Sequence, residues 1–184
     1  MTMDEPSAIR LCLRHGDPAG FEYLADRYRR DAYRHALLLL GNPEDAADIC
    51  QEAFSRAFVA IRKLARLERF YPWFYQILRN CGLNLLARRK TTSQYRRHHR
   101  GETAPAAEPL PSFLLEQAED KRRVWQVLQS LKPSFREILI MKYVDDASYQ
   151  VISQNLDIPR GTVMSRLYHA RGAFRDAYLE EAEP

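Results

Sequence analysis

Apolar residues recur along this chain at three- and four-residue spacing, the period of α-helices laid against a core. Phe21, Leu24, Tyr28, Ala32, His35 and Leu39 trace one stripe; Ala46, Ile49, Cys50, Ala53, Phe54, Ala57 and Ile61 trace a second. Asn42-Pro43-Glu44-Asp45 predicts where the second helix begins. Asparagine caps, proline tolerates the first helical position, and the acids meet the positive end of the helix. A third helix is predicted from about Phe70 to Arg89 on Trp73, Phe74, Ile77, Leu78, Cys81 and Leu85. The period lapses over residues 91–112, which hold Thr-Thr-Ser, a basic cluster, Gly101 and prolines at 105, 109 and 111. Such a stretch cannot bury a core and reads as a linker. Periodicity resumes near Leu114, through Val124, Val127, Leu128 and Leu131, restarts after Lys132-Pro133-Ser134, and continues with Phe135, Ile138, Leu139 and Lys142. Alternating strand patterns are nearly absent. The prediction is an all-α chain of two small helical domains, 1–90 and 119–184, joined by a flexible linker over 91–118.

The stretch 148–171 predicts a short helix, a tight turn and a second helix. Ile152 and Leu156 form an apolar edge, and Asp157-Ile158-Pro159 interrupts it, because proline lacks an N–H and disfavours helix in the residue before it. Val163, Leu167 and Ala170 then mark an inward face. The opposite face carries Arg160, Met164, Ser165, Tyr168, His169 and Arg171, a polar and basic surface sized for a DNA major groove. Helix pairs with solvated basic faces also occur in proteins that never touch DNA, and periodicity alone leaves both readings open.

Bulk properties narrow the class only a little. The 184 residues suffice for one domain or two small ones, and 28 basic against 24 acidic residues leave a net charge of +4. The longest apolar run, Ala36 to Leu40, is far too short to span a membrane. The acidic N-terminus lacks the layout of a signal peptide, so a cytoplasmic location is expected. Cys12, Cys50 and Cys81 are widely spaced within helical patterns and form no Cys-x-x-Cys pair; buried free thiols are expected, and no metal site. His98 and His99 have no companion ligands at helical spacing.

Two segments carry candidate chemistry in the N-terminal half. Asp45, Asp48 and Glu52 fall at i, i+3, i+7 along one polar helix edge. A cation site would need a more convergent set of oxygens, and no histidine or matching acid completes an acid–base pair, so an exposed edge or a docking surface is the alternative to catalysis. From Phe70 to Lys90, aromatic residues interleave with amides and arginines. Trp73 and Phe74 have core spacing, whereas exposed Tyr71 and Tyr75 would offer faces on which single-stranded bases stack. Between Arg88 and Arg100 lie six Lys or Arg residues and no acid, a solvated tail or a strip that tracks phosphates with salt-sensitive affinity.

Three motifs together resemble bacterial sigma factors of the extracytoplasmic-function group. Gly161-Thr162-Val163-x-Ser165-Arg166-Leu167-x-x-Ala170-Arg171 resembles their recognition helix; Asp45-Ala46-x-Asp48-Ile49-x-Gln51-Glu52-x-Phe54 resembles the polymerase-binding helix of region two; and Phe70, Trp73, Ile77 and Asn80 match the helix that melts the minus-ten element. The resemblance covers roughly 20–90 and 120–178, in the family's order. It implies a transcription initiation factor without catalytic activity or cofactor. Asp45, Asp48, Gln51, Glu52 and Arg56 would bind the clamp helices of the largest subunit of core RNA polymerase. Tyr71, Trp73, Tyr75, Arg79, Asn80, Asn84, Arg88, Arg89 and Lys90 would contact minus-ten DNA. Arg160, Thr162, Met164, Ser165, Arg166, Tyr168, His169 and Arg171 would read minus-thirty-five. Further implied partners are promoter DNA, the flap of the second-largest subunit and an anti-sigma factor. The chain departs from the pattern at Val151-Ile152-Ser153, where Glu-Ile-Ala is usual; at Met164, usually lysine or arginine; at Phe74, usually leucine; and over Ala65 to Tyr71, which lacks the usual small and acidic residues. The alternatives are a helix-turn-helix regulator acting without polymerase, which would have no use for the 42–56 edge, and an enzyme built on that edge.

Overall fold

The computed structural model describes residues 3–15, 17–64, 66–100 and 119–181, with side chains described for all but His15 and 93–100. Among them are eight helices and no strand: α1 Glu5–His15, α2 Pro18–Leu40, α3 Pro43–Ile61, α4 Phe70–Arg100, α5 Glu119–Ser130, α6 Pro133–Tyr143, α7 Tyr149–Leu156 and α8 Arg160–Glu180. The all-α prediction holds. The helix boundaries follow from local chemistry. Asp17 accepts a hydrogen bond from the Ala19 N–H and Asn42 from those of Glu44 and Asp45, each just before a proline at the first helical position. Gly41 ends α2 in the left-handed region at φ 81°, its N–H donating to the Leu37 carbonyl.

Helices α1–α4 surround an aromatic core in which Phe54 stacks on Phe74 at 4.3 Å and Phe70 on Phe74 at 5.3 Å. Helix α1 extends this unit to the N-terminal side of the first predicted stripe. It crosses α2 at Gly20, where a Cβ would lie 2.6 Å from the Ala8 carbonyl oxygen. It also supplies Glu5, whose carboxylate accepts the Phe70 N–H at 3.0 Å and the Tyr28 hydroxyl at 2.5 Å, capping α4. Helices α5–α8 enclose a second core of residues including Leu131, Ile138, Ile152, Val163 and Leu167.

The arrangement of the two units corrects the linker expectation in part. Helix α4 continues past residue 90 to Arg100, so the first part of the predicted 91–118 linker is helical; residues 101–118 lie outside the described residues. The units also pack together. Leu39 of α2 and Tyr75 of α4 sit within the C-terminal core, and Trp125 of α5 sits within the N-terminal one. The last carbonyls of α2, which have no partner within their own helix, receive donors from across the seam. Gln129 Nε2 donates to Leu38 at 2.9 Å, and Arg136 donates to Leu39 at 2.6 Å.

Candidate nucleic-acid interface

Helix α8 presents the predicted face. Val163, Leu167 and Ala170 are fully covered, while Arg160, Met164, Ser165, Tyr168, His169 and Arg171 are exposed; Met164 is 57% and Tyr168 70% accessible. Thr162 and Arg166 are half-buried at the edges of this face. The Ser165 hydroxyl donates to the Thr162 carbonyl at 3.2 Å, leaving its oxygen lone pairs directed outward. The turn between α7 and α8 is held by a short local network. Asp157 adopts a left-handed conformation at φ 51°, the Ile158 N–H donates to the Ser153 carbonyl, and the Ser153 hydroxyl returns a hydrogen bond to the Ile158 carbonyl at 2.6 Å. Ser153, one of the departures from the family pattern, therefore stitches the turn. Val151, beside it, is half-buried.

On α3, Asp48, Gln51, Glu52 and Arg56 line one exposed edge, and Arg56 donates to Glu52 at 2.5 Å. Asp45 turns away from that edge and pairs with Arg89 of α4 at 2.5 Å, with 16% of its side chain exposed. The contact ties the start of α3 to α4. Among the described residues no group of three or more His, Cys, Asp or Glu side chains is placed to hold a metal ion. The thiols of Cys12, Cys50 and Cys81 are free and buried. Burial pushes all three above the ordinary thiol value, Cys50 to about 12.

Helix α4 divides the predicted minus-ten residues between two opposite stripes. Trp73, Ile77, Asn80, Asn84 and Arg88 follow one face; the asparagines and Arg88 are exposed, as is Lys90, and Trp73 is half-buried. Tyr71, Tyr75 and Arg79, at i, i+4, i+8, follow the other, and the C-terminal unit covers it. The expectation that Tyr71 and Tyr75 stand exposed is not met. Tyr75 is 1% accessible and lies edge-on to His35 at 4.7 Å, and Tyr71 is half-buried with its hydroxyl enclosed. Burial raises both phenols well above the ordinary tyrosine value. Arg79 donates through Nε and Nη2 to the two carboxylate oxygens of Glu137, at 2.5 and 3.4 Å, and Glu137 itself is 1% accessible.

Four residues of this seam stand outside the predicted site: His35, Arg136, Glu137 and Asp145. His35 is fully buried, with Nδ1 at 3.0 Å from Asp145 Oδ2. Arg136 closes the C-terminus of α5 by donating to the carbonyls of Leu128, Gln129 and Leu131, and also to the Gln129 side-chain oxygen at 2.6 Å. Burial lowers its guanidinium to about 10, so it stays charged at neutral pH. The available signal was polar residues in apolar positions: His35 lies within the stripe of α2, and Arg136 and Glu137 interrupt a run from Phe135 to Met141.

Residues 24–92 match the family model for Sigma-70 region 2, and residues 121–174 match that for Sigma-70, region 4. The chain is 29% identical over 170 residues to the ECF RNA polymerase sigma factor SigW of Bacillus subtilis, covering 89% of this chain and 91% of that one. It is 30% identical over 169 residues to the ECF RNA polymerase sigma-E factor of Escherichia coli K12, covering 88% and 87%. Two solved structures share the fold. The sigma factor RpoE of Bartonella quintana, in complex with the anti-sigma factor NepR, superposes with a TM-score of 0.67 at 18% identity, covering 85% of this chain and 95% of that one. CnrH, in complex with the cytosolic domain of CnrY, gives a TM-score of 0.68 at 19% identity, covering 98% and 96%.

Proposed function

The chain belongs to the extracytoplasmic-function group of the sigma-70 family, and on that premise we propose how its surfaces divide the work of starting transcription. It directs promoter-specific initiation as a partner of RNA polymerase. Catalysis lies in the polymerase rather than in this chain, which requires no cofactor, and the site of action is the cytoplasm. The exposed α3 edge of Asp48, Gln51, Glu52 and Arg56 docks on the clamp helices of the largest subunit, where acids and amides facing basic residues set orientation and association rate. Asp45 contributes by holding α3 against α4 through Arg89.

The outward face of α8 reads minus-thirty-five DNA. Ser165, Tyr168 and His169 take base contacts, Met164 meets a thymine methyl, and Arg160, Arg166 and Arg171 hold phosphates. Thr162 borders the same face. The open stripe of α4, from Trp73 through Asn80 and Asn84 to Arg88 and Lys90, follows the melted minus-ten strand, joined by Tyr71, Tyr75 and Arg79 once their face is uncovered. The units spanning 1–90 and 119–184 act as the two anchors of this division, with the flap of the second-largest subunit touching the C-terminal one. An anti-sigma factor is the expected regulator, as RpoE and CnrH were each solved with such a partner or a cytosolic domain bound.

The observation that carries this reading is the outward polar face of α8 combined with the separate exposed α3 edge, since a regulator working without polymerase has no use for the latter. Transcription from a promoter library with purified core polymerase and this chain tests it. Defined start sites that depend on the chain are expected; equal, unspecific transcription with and without it would refute the reading.

A further inference from the structure

We propose that the packing of the two units is a self-inhibited state, in which the C-terminal unit covers the Tyr71, Tyr75 and Arg79 stripe of α4 and is latched there by Gln129, Arg136, Glu137 and Asp145. The inference rests on the minus-ten role given to α4 above. The covered groups are those a melted strand would use: the face of Tyr75 is enclosed, and the Arg79 guanidinium is taken by a buried carboxylate. A phosphate or base cannot engage Arg79 while Glu137 holds both Nε and Nη2.

Reach gives a second, independent reason. Elements named minus thirty-five and minus ten lie about 25 base pairs apart, roughly 85 Å of duplex at ~3.4 Å per base pair. A compact chain of 184 residues has a radius of gyration of about 16 Å. The closed form therefore cannot touch both elements, and the seam has to part before the two anchors can act together.

The chemistry of the seam fits a contact made to open. Its fastening is polar: Arg79 to Glu137, His35 to Asp145, and Gln129 and Arg136 to the terminal carbonyls of α2. Arg34 also faces Asp145, at 3.8 Å. Three buried polar atoms at the seam, His35 Nε2 and the hydroxyls of Tyr71 and Tyr75, have no hydrogen-bond partner in the closed form, and water would satisfy them on opening. The α3 edge and the α8 face remain exposed throughout, so docking on polymerase can precede the release of α4.

The test uses the full chain and two variants outside the proposed DNA contacts, Glu137→Gln and Asp145→Asn, with helicity and melting confirming that each is folded. Small-angle scattering and binding of a labelled single-stranded DNA of mixed sequence are read without polymerase. The wild type should scatter as a compact particle and bind the strand weakly. Each variant should expand and bind about tenfold more tightly, because apparent affinity scales with the fraction of open chain. The exchanged pair Arg79→Glu with Glu137→Arg should return to the compact particle. Unchanged dimensions in both variants, or expansion without tighter strand binding, would overturn the proposal. Transcription with core polymerase, measured alongside, separates this from the functional reading: start sites dependent on the wild type, with no compaction difference among the variants, would retain the initiation role and remove the latch alone.

Discussion

Met164 occupies the centre of the α8 face at 57% exposure, where a methionine cannot make the bidentate guanine contact worth about 1–3 kcal/mol. Arg166, one turn away from the turn residues and half-buried, is placed for phosphate contact or helix support. Arg166→Ala should therefore weaken binding to all promoter sequences by a similar factor, whereas Met164→Arg should add a preference for guanine at one position. Affinities measured across a set of single base-pair changes check both; a loss at one base pair alone with Arg166→Ala would refute its assignment. The cysteines follow from burial in the same direct way. A thiol raised to about 12 carries almost no thiolate at neutral pH, and the thiolate is the reactive form. Cys50 should resist alkylation at pH 7.5 in the native chain and react once the chain is unfolded; rapid native modification would contradict its placement.

At the scale of single helices, legibility depended on what decides each face. The inward residues of α8 and the start of α3 were readable because period and capping are local properties. Helix α1 offered Ala8, Ile9 and Cys12 at helical spacing but only a short stripe, and its Glu5 cap on α4 spans 65 positions in sequence. Helix α4 shows the limit most clearly. Its two stripes are equally helical, and only the packing of a distant unit decides that Asn80 and Asn84 face outward while Tyr75 and Arg79 do not. Burial of Tyr71 and Tyr75 gives a measurable consequence. The folded chain keeps protons that the unfolded chain releases, so the contribution of these phenols to stability is complete below about pH 10 and is lost as pH rises beyond it. In an ultraviolet titration, Tyr71 and Tyr75 should ionise last among the ten tyrosines, and Tyr28, raised by burial and by its bond to Glu5, should also lag. All ten tyrosines titrating together near pH 10 would contradict the buried seam.

For the whole molecule, the division into two helical units was legible from the lapse in periodicity, but their mutual packing was not. A seam built from Arg79–Glu137, His35–Asp145 and two helix-terminal carbonyls leaves little trace beyond a few polar residues in apolar stripes. The family identity explains why both ends of the chain carry exposed functional faces while the middle of α4 is covered. The central claim is that this chain places RNA polymerase on promoters through its α3 edge, and direct binding to purified core polymerase tests it most simply. Wild type should form a stable complex, and the double variant Asp48→Arg with Glu52→Arg, reversing two exposed charges without touching a core, should lose most of that affinity while remaining folded. A wild-type chain that does not bind core, or a charge-reversed chain that binds as well as wild type, would contradict the account.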